Sequence, residues 1–162
     1  NELLLTWPIN YLILNSQFYL GGSRTKTSGS DYDDLMLCKA PSINNNMNEV
    51  QKENIEEIIE LCEKNGINLI FVESPKFKVV AENFMYLSAM RQYTKLLSNK
   101  DIAVILEQNT YDFLAKQEDV GYMRMIDVYQ FDVENANYYT DIIHLSSEGR
   151  SIFSKEIIDI LK

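Results

Sequence analysis

Two hydrophobic periods take turns along residues 48–162. Ile55, Ile58, Ile59 and Cys62 recur at the i, i+3, i+4, i+7 spacing of an amphipathic helix. Asn48 supplies an N-cap with Gln51 three residues on, and Gly66 a C-terminal stop. The run Asn-Leu-Ile-Phe-Val-Glu at 68–73 is instead apolar on consecutive positions, as in a strand covered on both faces of a parallel sheet, and Pro75 ends it. A second helix is predicted over 81–99, with Tyr86, Met90, Tyr93 and Leu97 on one side; the turn at 99–101 leads into a second buried strand at 102–106. A short helix at 110–116, a third strand at 123–128 and a last helix at 146–161, burying Phe153, Ile157, Ile160 and Leu161, complete the order. Such alternation specifies an α/β fold: a parallel sheet between helical layers, three-layer α/β/α in the flavodoxin-like manner, joined by right-handed crossovers.

Residues 1–47 are less defined. The stretch 3–19 fits either one or two helical turns broken at Pro8 or a short strand at 11–14. Residues 21–48 are rich in Gly, Ser, Thr, Asp and Asn and read as a long surface loop. A single domain over 1–162, with its core in 48–162, is the expectation for this length. Because the first residue is Asn1 rather than Met, the natural start is expected to lie upstream, so the fold would be incomplete at its N-terminus.

Composition narrows the partners. Fifteen basic against twenty-four acidic residues give a net charge of -9, with no cluster of Lys and Arg. This acidic balance argues against nucleic acid, whose phosphates require cationic side chains, and against anionic membrane surfaces. The apolar stretch 3–20 is interrupted by Thr6, Pro8, Asn10 and Asn15 and reads as neither signal peptide nor membrane span. Cys38 and Cys62 form no CxxC or Cys/His cluster, so neither a disulfide framework nor a zinc site is indicated, and Cys62 reads as a small core residue.

Ligands of parallel sheets bind beyond the carboxyl ends of the strands, which directs attention to the loops after residues 73, 106 and 128. The third loop carries Thr-Asp-Ile-Ile-His-Leu-Ser-Ser-Glu-Gly at 140–149, and His144 is the only histidine of the chain. Asp141 and His144, three residues apart in a turn ahead of a helix, can bring a carboxylate to one imidazole nitrogen. That contact fixes the tautomer and leaves the second nitrogen as a general base for a hydroxyl nucleophile. Ile142 and Ile143 would anchor the turn in the core, Ser146 would cap the helix and Gly149 would permit close packing. A lone histidine at a helix start is also a common surface or capping residue.

The segment YYTDIIHLSSEGRSIFSKEIIDIL resembles the last block of the SGNH/GDSL hydrolase superfamily, in which an Asp-x-x-His turn precedes the final helix. LIFVESPKF at 69–77 is similar to a strand and exit loop of envelope-associated acyl-transfer members, so the likeness spans roughly residues 48–162. It implies a serine esterase or O-acyltransferase acting on acyl esters, such as acetyl groups of a cell-envelope glycan, with catalytic Asp141 and His144. It also implies an extracytoplasmic setting and a reaction that needs no cofactor and no metal. The family's nucleophile follows its first strand. YLGGSR at 19–24 is similar to one form of that turn and would make Ser23 the nucleophile, but too few residues separate Ser23 from Leu69 for the intervening strands. Residues 12–16 fit either a strand ending in an oxyanion-hole Asn15 or a helix. The more economical expectation is a nucleophile block upstream of Asn1. The alternative is a catalytically silent domain of the same fold that binds glycan or protein.

Other residues admit simpler roles. Glu73 at a strand end can contact substrate, although a solvated rim carboxylate is the commoner case, and Ser74 beside Pro75 reads as turn chemistry. Tyr138 and Tyr139 fit a sugar-stacking surface or ordinary core and rim. Asp127, Asp132, Asp141 and His144 lack the clustering expected of a zinc site.

Overall fold

The computed structural model describes residues 29–38 and 49–162. Ser23, Asn15, the 11–14 strand and the Asn48 cap lie outside the described residues. The sheet has three parallel strands in the order β1 (Ile70–Val72), β2 (Ala103–Glu107), β3 (Arg124–Tyr129). Ile70 pairs with Ala103 and Ala103 with Arg124, and the β2–β3 register shifts between Val104 and Ile105. The central strand is buried at all five positions, as a consecutive apolar run requires in a sheet covered on both faces.

The helices divide between those faces to give three layers, α/β/α. On one side, α2 (Glu49–Lys64), α4 (Phe84–Asn99) and α5 (Gln108–Lys116) place Ile59, Met90, Leu97 and Leu114 over Val104 and Leu106. On the other side, α1 (Tyr32–Leu37), α3 (Lys78–Ala81) and α6 (Ser147–Ile160) place Leu35, Val80, Phe153 and Ile157 over Val72, Ile105 and Tyr129. Each fully buried aliphatic or aromatic side chain in these layers contributes roughly 1.5–3 kcal/mol of hydrophobic stabilisation.

Local chemistry sets the boundaries. Gly66 has φ 65° and lets the Ile67 N–H return to the Cys62 carbonyl at 2.9 Å, closing α2. Asp101 does the same after α4 with φ 53° and an Ile102-to-Leu97 bond of 2.9 Å.

Three expectations are corrected. The helix expected over 81–99 starts later, at Phe84, because the Asn83 side chain accepts from the N–H groups of Met85 and Tyr86 and caps it there, and the short α3 ends before it at Ala81. The loop over 21–48 contains the helix α1, capped by Asp31. The α2 stripe is narrower than its spacing suggests: Ile59 is buried and Ile55 and Cys62 are half-buried, but Ile58 is 48% exposed. A single buried side chain of that helix, Ile59, joins the cluster over the sheet, with Ile55 packed against it. Among the described residues no helix is long and apolar enough to cross a membrane.

Candidate active site

The chain leaves β3 through Phe131 and Val133, both buried, and a 3-10 turn at Ala136–Tyr138 before it reaches the Asp-x-x-His segment. Tyr139 then bridges Leu145 in antiparallel fashion, and the Thr140 N–H donates to the His144 carbonyl at 2.9 Å. Residues 140–144 thereby form a small closed loop. Ser146 fixes its far end: its hydroxyl donates to the Asn137 carbonyl at 2.6 Å and accepts from the Gly149 N–H at 3.2 Å, capping α6. A Cβ at Gly149 would collide with the backbone of Tyr138, so this packing requires glycine.

Inside the loop Asp141 organises the geometry. One carboxylate oxygen, Oδ1, accepts from the N–H groups of Ile143 and His144, each at 2.9 Å. The other, Oδ2, lies 2.7 Å from His144 Nδ1. Burial alone would push the Asp141 carboxyl up, but the hydrogen bonds from Ile143 and His144 outweigh it and hold it below the ordinary carboxylate value. An ionised Asp141 can only accept, so Nδ1 carries the proton and Nε2 is the basic nitrogen. The side chains of His144 and Asp141 are 40% and 49% exposed, so the pair sits at a rim and not in the core. Ile142 is buried and Ile143 packs at the margin of the core, the anchoring role their position suggests.

Two other segments hold the loop. The exit of β1 meets it through the Phe77 N–H, which donates to the Ile142 carbonyl at 3.1 Å, and through Lys76 Nζ, 3.4 Å from the Ile143 carbonyl. From the opposite end of the sequence, the Ser30 hydroxyl donates to the Thr140 carbonyl at 2.8 Å and its N–H to the Tyr139 carbonyl at 2.9 Å. Neither segment stands out as a partner of the loop by sequence pattern alone. A cation directly after Ser-Pro at a strand's carboxyl end is the one signal that points to Lys76.

Glu73 is neither a substrate contact nor a solvated rim residue: it is 4% exposed. Its Oε1 accepts from Tyr86 and Thr110 hydroxyls, both at 2.6 Å, and its Oε2 from the Glu107 N–H at 3.0 Å. Burial raises its pKa, opposed by those donors and by Lys76. The neighbouring Glu107, capping α5 through the Asn109 N–H, is pushed up to about 7 by burial and by the charge of Glu73. Ser74 is buried as well. Tyr139 is a core residue, edge-on to Phe77 and Phe131, and Tyr138 is half-buried beside Phe131, so the two do not form an open stacking surface. Among the described residues no group of three or more His, Cys, Asp or Glu side chains could hold a metal ion. Asp127 instead lines a groove along α6 with Lys155, Glu156 and Asp159.

Comparison with family models, with curated proteins and with solved structures gives no match to this chain.

Proposed function

We propose that the chain carries the base and its orienting carboxylate of an SGNH-like serine esterase or O-acyltransferase acting on acyl esters, such as acetyl groups of a cell-envelope glycan. The reading is carried by the 2.7 Å contact between Asp141 Oδ2 and His144 Nδ1 at an open rim beyond the carboxyl end of the sheet. In this reading His144 Nε2 takes the proton of a serine hydroxyl as the oxygen attacks the ester carbonyl. The imidazolium, stabilised by Asp141, then returns the proton to the departing alcohol. Water or an acceptor hydroxyl resolves the serine ester by the same steps. The substrate class rests on the family likeness of residues 48–162.

The nucleophile is assigned outside the described residues. Ser30 and Ser146, which hydrogen-bond to the segment around the loop, both donate their hydroxyls to backbone carbonyls and serve as braces. The same observation favours the second reading, a silent domain of this fold that binds glycan or protein. Hydrolysis of p-nitrophenyl acetate by the full-length polypeptide separates the two. Enzyme requires turnover that falls on the order of 10²–10⁴-fold in His144→Ala, the usual contribution of general acid–base catalysis. Equal turnover in both removes His144 from the chemistry, and no turnover in either supports the binder.

A further inference from the structure

The exit of β1 crosses from Glu73 to the Asp141–His144 loop in three residues, and the cationic end of that crossing is Lys76. Its Nζ donates to the Ile143 carbonyl at 3.4 Å. The N–H at the other end of that same peptide unit belongs to His144 and donates to Asp141 Oδ1 at 2.9 Å. The remaining oxygen of Asp141 holds His144 Nδ1 at 2.7 Å. A line of hydrogen bonds therefore runs from the ammonium through one peptide group and one carboxylate to the imidazole. A cation at the carbonyl end of a peptide polarises it and strengthens the bond made by its N–H.

We propose that Lys76 is a positioning residue for His144: its ammonium fixes and polarises the Ile143–His144 peptide, which keeps Asp141 aimed at Nδ1. This rests on the reading of His144 as general base and adds a residue outside the triad. The neighbouring bond from the Phe77 N–H to the Ile142 carbonyl at 3.1 Å, with Phe77 fully buried, makes the attachment a two-point one. The charged groups facing Lys76 are Glu73, from the end of β1, and Asp141, from the loop. Glu73 is itself anchored by Tyr86, Thr110 and the Glu107 N–H, so it stays beside the β1 exit. Burial pulls the lysine below its ordinary range, and the two carboxylates oppose that pull.

The test is NMR on the 162-residue chain, in which His144 is the only imidazole, for wild type, Lys76→Met and Lys76→Arg. In wild type the low-field proton of the Asp141–His144 bond is expected, with an alkaline step on the Ile143 and His144 amides whose midpoint lies below that of an ordinary lysine. Lys76→Met should lose the step, broaden the low-field proton and exchange the His144 amide at least tenfold faster. Lys76→Arg should keep the low-field proton and show no step. An unchanged low-field proton and unchanged amide exchange in Lys76→Met would overturn the proposal. So would the absence of an alkaline step in wild type, which decides the matter even if Lys76→Met does not fold. None of these signals needs an ester, so ester turnover that depends on His144 alongside an unaltered Lys76→Met spectrum would sink Lys76 alone. The wild-type step with no ester turnover would sink the esterase reading and leave the Lys76 contact standing.

Discussion

Asp141 and Glu73 are carboxylates at the same carboxyl edge of one sheet, yet they are driven in opposite directions. Asp141 is half-exposed and meets two N–H groups and an imidazole, which hold it ionised below the ordinary range. Glu73 is buried, meets two hydroxyls and one N–H, and is pushed up because those donors do not offset its lost hydration. Hydrogen bonds number three in each case, so their count does not decide the outcome. Access to solvent does, and with it the division of labour: Asp141 holds a half-exposed imidazole, while Glu73 ties β1 to β2, α4 and α5.

The largest effects should separate these roles. Asp141→Asn keeps an oxygen for both amides but loses the acceptor for Nδ1, so ester turnover should fall on the order of 10²–10⁴-fold with little change in the urea midpoint. Glu73→Ala should do the reverse. Leaving two hydroxyls and an N–H without their acceptor costs about 2–5 kcal/mol, visible as an earlier urea midpoint, with the Asp141–His144 proton signal retained wherever the protein stays folded.

Acidity sharpens the contrast next. The raised carboxyl of Glu107, at about 7, favours the folded state fully below its unfolded value near 4.5, and this contribution is lost as pH rises through 7. The lowered carboxyl of Asp141 works oppositely: its contribution is present above its unfolded value near 3.8 and disappears as pH falls through the folded one. Thermal melts from pH 5 to 8 should therefore decline less steeply in Glu107→Gln than in wild type, and parallel slopes would contradict the assignment. Smallest of all is Ser30→Ala, which removes one brace of the 140–144 loop and should cost about 1 kcal/mol in denaturant melts.

What could be read from the chain follows from the range of the forces involved. Both periods of the α/β core and the Asp141–His144 spacing are local, so β2, β3 and α6 lie within a residue or two of their expected limits. The Asn83 cap was present in the sequence too, but the apolar positions that marked the helix, Tyr86 to Leu97, all follow it and left its start open by a few residues. The burial of Glu73 was not legible, because its partners Tyr86, Glu107 and Thr110 are 13, 34 and 37 residues away. The braces of the loop were further still from view, Lys76 at 67 residues from Ile143 and Ser30 at 110 from Thr140. Periodicity reports which face is buried. It carries no information on which distant polar groups meet there.

The most direct measurement is fluorophosphonate labelling of the full-length polypeptide, with the adduct mapped by mass spectrometry in wild type, His144→Ala and Asp141→Asn. One serine outside residues 29–38 and 49–162 should be labelled in wild type, with labelling abolished in His144→Ala and strongly slowed in Asp141→Asn. Labelling at an unchanged rate in both variants would contradict the central role of the Asp141-held imidazole.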